Sequence, residues 1–176
     1  TNVVLAKNLV GYQFSKGFLE VESIDELETY QQGDKKIPYF VGETCTGKDL
    51  TGMRYEQLLD YCQPFENPEN AFQVISGDFV TTEDGTGIVH TAPTFGADDA
   101  KVAKDAGVPP MLVKDELDNL VPLVDLQGRF RKEVYDFDGM YVKNEYYSDD
   151  QAPEKSVDVL IAVKLKEDNK AFKVEK

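Results

Sequence analysis

Gly85-Thr86-Gly87-Ile88-Val89-His90-Thr91-Ala92-Pro93-Thr94-Phe95-Gly96-Ala97-Asp98-Asp99 decides how the remainder of the 176-residue chain is read. The stretch carries the single histidine of the chain, three glycines, a strand-like Ile88-Val89, a proline stop and two adjacent carboxylates that open a helix. A turn, a short strand, a loop and a helix start within fifteen residues bring polar groups to one place from several backbone directions. Binding sites on rigid scaffolds are commonly built this way. Immediately upstream, Phe72 to Val80 is expected to be a long strand with a bulge at Gly77. Glu83-Asp84-Gly85 then turns it into Ile88-Val89-His90, a hairpin that leaves His90 at a strand end.

Working outward, the residues after the acid pair place Val102, Ala103 and Ala106 on one helix, capped by Asp98 or Asp99 and stopped by Gly107 and Pro109-Pro110. Met111-Leu112-Val113 and Leu120 to Val124 are short strands flanking an acidic turn. A final helix has Pro153 in its first turn, a stripe of Val157, Leu160, Ile161 and Leu165, and a polar exit at Asn169. Toward the N-terminus, Val3 to Ala6 and Gly17 to Val21 read as strands around a turn at Ser15-Lys16-Gly17. Ser23 and Glu26 form a capping box for a helix with Ile24, Leu27 and Tyr30, ended by Gly33. Tyr39-Phe40-Val41 reads as a strand after Pro38. Tyr55, Leu58, Leu59 and Cys62 recur at helical spacing before Pro64, which predicts an amphipathic helix with a core-facing stripe.

Short strands outnumber helices in this reading and do not alternate strictly with them. The expected class is α+β, mainly β, with a barrel-like sheet and peripheral helices, in a single domain over residues 1–176. The length suffices for one domain with its own core. No apolar run approaches the roughly 18 residues that span a bilayer, and Thr1-Asn2-Val3-Val4 does not open a signal peptide, so no membrane partner and a cytoplasmic setting are expected. Cys45 and Cys62 permit one disulfide at most and do not supply a four-ligand zinc site. The formal net charge of −14 argues against a protein that grips nucleic-acid backbones by itself.

The quoted stretch resembles the signature of the editing domain inserted into class I aminoacyl-tRNA synthetases for branched aliphatic amino acids, with the isoleucyl type the best fit. That family carries a Gly-Thr-Gly turn, a strand, then His-x-Ala-Pro-x-x-Gly-x-Asp-Asp, and every fixed position is present. Gly47-Lys48-Asp49-Leu50-Thr51-Gly52-Met53-Arg54-Tyr55 looks like the family's Gly-x-x-Leu-x-Gly-x-x-Tyr segment, and Asp138-Gly139-Met140 with the helix from Val157 to Leu165 looks like the approach to its exit. The adenylate-forming signatures of a complete synthetase, His-Ile-Gly-His-like and Lys-Met-Ser-Lys-Ser-like, do not occur, and the chain therefore reads as an excised editing insert. The threonine-rich strand that lines the family's pocket is not visible either; Thr81-Thr82 is too short and wrongly placed.

The resemblance implies a β-barrel-centred fold and a role for each signature residue. Two acids in succession cannot both fill one cap. The family uses the second, here Asp99, to bind the α-ammonium of the misattached amino acid, which leaves Asp98 to cap or support. A carboxylate is a natural partner for a primary ammonium. His90 has no serine, cysteine or acid at a triad spacing, and the resemblance makes it a pocket residue that selects by size. Gly85 and Gly87 serve first as turn glycines, with Thr86, Thr91, Ala92, Pro93 and Phe95 lining the substrate. Thr94-Phe95 replaces the Gly-His of many bacterial members, which alters the pocket rim. The implied activity is water attack on the ester of valine misattached to tRNA(Ile), with no metal and no cofactor. The implied partners are the tRNA(Ile) 3′ end and the catalytic domain of the parent enzyme. A valyl- or leucyl-type insert, or a catalytically silent tRNA-end binding fragment, remains an alternative.

Overall fold

A computed structural model describes residues 1–148 and 150–174 of the chain. They form two compact units, one of Thr1–Met53 with Val74–Thr91, the other of Arg54–Gln73 with Ala92–Lys176. Helices and short strands are both present, and among the described residues no helix is long and apolar enough to cross a membrane.

In the first unit a 3₁₀ turn at Lys7–Leu9 runs into α1 (Val10–Gln13). β1 (Phe18–Glu20) pairs in parallel with β2 (Ile37–Tyr39), with Phe18 opposite Ile37 and Glu20 opposite Tyr39. The connection between them holds the predicted capping box. The Ser23 hydroxyl accepts from the Asp25 N–H, and the Glu26 carboxylate accepts from the Ser23 N–H at 2.9 Å. The helix so started is a 3₁₀ segment, Ile24–Thr29, which ends before Gly33 is reached. Phe14 stacks on Tyr39 and meets Phe18 edge-on, with ring centroids 4.7 and 4.9 Å apart. α2 (Gly47–Leu50) opens with a second box, Thr46 with Asp49.

In the second unit α3 (Ala97–Asp105) is followed by the predicted hairpin, β3 (Leu112–Lys114) antiparallel to β4 (Leu120–Pro122). Its acidic turn is held by the Asp115 carboxylate, which accepts from the backbone N–H groups of Leu117 and Asn119. α4 (Val157–Glu167) lays Val157, Leu160 and Ile161 against Val134, Phe137, Phe130, Leu123 and Tyr61, the core of this unit. A polar clamp sits beside it: Asp136 accepts from the Tyr61 hydroxyl at 2.9 Å and pairs with the Lys164 ammonium at 3.1 Å.

Several expectations fail, each for a nameable reason. The strands do not close into a barrel: among the described residues each is three residues long and pairs with a single neighbour, whereas closure needs long strands paired on both sides. Val3 to Ala6 is not a strand, because the Ala6 N–H donates to Thr86 and its carbonyl starts the 3₁₀ turn at Leu9. Residues 55–62 are not helical. The Tyr55 N–H donates to the Phe72 carbonyl, the Leu58 carbonyl accepts from the Lys170 ammonium, and the Cys62 carbonyl accepts from the Gln57 amide. These partners hold backbone groups of the run in place of the bonds a helix would make.

The run from Phe72 to Val80 likewise makes no long strand. Phe72 adopts a left-handed φ of 54°, Gln73 bridges Arg54, and a turn closes from Gly77 to Val80. Ile88-Val89-His90 therefore lacks the partner of its predicted hairpin and is irregular. Finally, Pro153 precedes the last helix instead of lying inside it; Ser156 is the residue before the first turn.

Candidate functional site

The signature crosses from the first unit to the second between Thr91 and Ala92. In the first, Gly85 and Gly87 both take positive φ, 62° and 74°. The turn is held by the N-terminal segment. The Ala6 N–H donates to the Thr86 carbonyl at 2.7 Å, and the Gln13 side-chain amide donates to the Gly85 carbonyl at 2.7 Å. The Thr86 hydroxyl bonds both backbone groups of Ile88, accepting at 3.3 Å and donating at 3.1 Å. A Cβ on Gly87 would lie 2.5 Å from the Ala6 Cβ, so this glycine is required by close approach of the chain to itself as well as by its φ. His90 is exposed and Thr91 half-buried.

In the second unit, Ala92-Pro93-Thr94-Phe95 forms a tight turn closed by the Phe95 N–H donating to the Ala92 carbonyl at 3.0 Å. Proline suits the second place of such a turn because its φ is preset and no N–H is needed there. Ala92 and Pro93 are half-buried, while Phe95 is 51% exposed. The helix cap differs from expectation. Gly96, with a φ of 97°, precedes the first turn of α3, and its carbonyl accepts from the Ala100 N–H. Asp98 and Asp99 both lie inside that first turn, where their charge favours the positive end of the helix dipole. An ordinary capping side chain cannot follow this backbone, because a positive φ is one that glycine accepts and aspartate resists.

The two acids then part. Asp98 is exposed, whereas half-buried Asp99 turns back, and its Oδ2 accepts from the Ala92 N–H at 3.0 Å. The carboxylate thus closes a loop from the start of α3 to the start of the Ala92–Phe95 turn. Sequence reasoning did not find Thr94, Met111, Ala6 or Gln13 as supports of the signature. Thr94 and Met111 are 17 residues apart, Gln13 and Gly85 are 72 apart, and no local spacing announces such pairs. Among the described residues no three His, Cys, Asp or Glu side chains gather as a metal site would require, and both cysteines are free.

No family model matches the chain. Individual proteins do. An isoleucine–tRNA ligase of Cytophaga hutchinsonii is 53% identical over 184 residues, covering 99% of this chain and 16% of that protein. The isoleucine–tRNA ligase of Bacteroides fragilis is 45% identical over 191 residues, with the same coverage of 99% and 16%. The cytoplasmic isoleucine–tRNA ligase of Saccharomyces cerevisiae is 41% identical over 128 residues, or 72% of this chain and 11% of that protein. The chain spans about one sixth of the length of the first two relatives. Along nearly its whole length it belongs with the isoleucine–tRNA ligases, as the counterpart of one segment of them.

Proposed function

We propose that the chain is the editing module of an isoleucyl-tRNA synthetase, which hydrolyses the ester of valine misattached to tRNA(Ile). The need for such a module is energetic. Valine and isoleucine differ by one methylene, worth only about 1–3 kcal/mol in an apolar pocket, a range for which the isoleucine enzymes are themselves the standard illustration. A second pocket that admits only the smaller product removes what the first cannot reject.

The observation that carries the reading is the placement of Asp99. Its carboxylate is folded onto the backbone of the Ala92–Phe95 turn and fixed there by the Ala92 N–H. A carboxylate accepts several hydrogen bonds, so one backbone donor leaves capacity for an ammonium. Asp99 would hold the α-ammonium, and His90 would define the size of the side-chain pocket. A positioned water would attack the carbonyl, and expulsion of the ribose oxygen would complete hydrolysis. The relatives, named as isoleucine–tRNA ligases, favour the isoleucyl type over a valyl or leucyl insert. Under this reading the partners are the aminoacylated 3′ end of tRNA(Ile) and the catalytic domain of the parent enzyme. The compartment is the cytoplasm, as in the name of the yeast relative.

The test is a crystal structure with a non-hydrolysable valyl-adenosine analogue. The expected result is an ammonium about 3 Å from an Asp99 carboxylate oxygen. An ammonium bound elsewhere, or no binding at millimolar analogue, would overturn the assignment.

A further inference from the structure

Thr94 is the residue of the signature whose bonds the proposed chemistry does not use. It occupies the third place of the Ala92–Phe95 turn and is half-buried. Its hydroxyl accepts from the Met111 N–H at 2.8 Å and also lies 3.3 Å from the Met111 carbonyl, to which it donates. One side chain therefore grips both backbone groups of a single residue that follows α3 in the chain. Met111 leads directly into β3, whose next residue, Leu112, accepts from the Phe65 N–H at 3.0 Å. The Cys62 sulfur lies 3.9 Å from the Met111 sulfur. The anchor is thus itself tied to other parts of the same unit.

We propose that Thr94 is a positioning residue for the Asp99 carboxylate. The chain of contacts is short. Thr94 pins the turn to Met111, the turn presents the Ala92 N–H, and that N–H aims Asp99. With the hydroxyl gone, Pro93 and the 3.0 Å bond from Phe95 would keep the turn's shape, but the turn would lose both bonds to Met111 and keep the Asp99–Ala92 bond as its side-chain tie to α3. A carboxylate that must meet a substrate ammonium is sensitive to such loosening, since displacement by about 1 Å can cost on the order of a hundredfold in rate. The inference rests on the reading of Asp99 as the ammonium anchor. It extends that reading to a residue whose hydroxyl is engaged with Met111.

The experiment combines two measurements on Thr94→Val, which keeps the shape and removes the hydroxyl, and on Thr94→Ser, which keeps the hydroxyl. Amide hydrogen exchange at Ala92 in this chain is expected to speed up by about tenfold in Thr94→Val, the loss of roughly one hydrogen bond, and to stay near wild type in Thr94→Ser. In the intact synthetase, deacylation of valyl-tRNA(Ile) by Thr94→Val is expected to fall by about tenfold or more in kcat with little change in KM. Thr94→Ser is expected to restore it. Asp99→Ala removes the acceptor of the Ala92 N–H and should by itself speed exchange there, and Thr94→Val added to it should speed it little further, because a positioning residue has nothing left to position. A residue that served stability alone would speed exchange in both backgrounds alike, and that result would overturn the proposal. So would an unchanged Ala92 exchange rate. If the wild-type enzyme hydrolyses no mischarged tRNA, the editing reading fails, and the Ala92 exchange still decides whether Thr94 holds the turn that aims Asp99.

Discussion

Asp99 carries two loads, and substitution can separate them. It accepts a backbone bond from Ala92 inside the second unit, and it is the proposed partner of the substrate ammonium. Asparagine retains an acceptor oxygen and loses the charge. We predict that Asp99→Asn abolishes deacylation while costing less than about 1 kcal/mol of stability, the scale of a lost helix-dipole interaction. Asp99→Ala is predicted to abolish it as well and to cost a further 0.5–1.5 kcal/mol or so for the missing bond. Urea melts and deacylation rates on the two variants check this; a fully active Asp99→Asn would contradict the anchor. His90 is expected to behave differently. The lack of a triad spacing and the place of His90 in the family's signature favour a role in size selection. His90→Ala is predicted to begin hydrolysing isoleucyl-tRNA(Ile). Loss of a general base would instead depress every substrate by about 10²–10⁴-fold. At this scale the paired acids were legible, but the helix cap was not. Gly96 supplies it through a backbone conformation, and that frees Asp99 to reach back by seven residues.

Elements were legible where their causes are local. The capping box of Ser23 and Glu26, the stop of α3 at Gly107 with its φ of 71°, and the Asp115-held turn between β3 and β4 all rest on partners a few residues away. The apolar stripe of α4 was likewise readable. Tyr55 to Cys62 misled because a helical spacing of apolar residues is also compatible with an irregular segment whose backbone groups find distant partners. One such partner is Lys170, 112 residues from Leu58.

The clamp on α4 makes a prediction about pH. The Lys164 ammonium first, and the Tyr61 hydroxyl second, hold the Asp136 carboxyl below its ordinary range. The unfolded chain then binds the proton more readily, so this contribution is complete above about pH 4 and is lost as pH falls through the lower folded value. Burial first, and the bond to Asp136 second, push the Tyr61 phenol upward, so its contribution holds below about pH 10 and is lost as pH rises through the higher folded value. Asp136→Asn is therefore expected to be less stable at neutral pH and to lose less stability than wild type between pH 4 and 2 (a double comparison of urea midpoints). Parallel acid curves for the two proteins would contradict the clamp.

For the whole molecule, composition and signature pointed in opposite directions. A net charge of −14 opposes binding of a polyanion, yet the proposed function makes a tRNA the substrate. The two agree if the rest of a synthetase holds the tRNA body and this chain meets only its end, which is why activity is best measured in the intact enzyme. The barrel expected from many short strands was the least legible feature. Strand pairing is non-local, and the described residues satisfy it only in two isolated pairs. The central claim is discrimination between two esters that differ by a methylene. Its most direct test is the single-turnover hydrolysis of valyl-tRNA(Ile) and isoleucyl-tRNA(Ile) by the intact synthetase that carries this sequence. The account predicts that the valyl ester is cleaved faster by at least about tenfold. Equal rates, or an isoleucyl ester that is lost first, would contradict it.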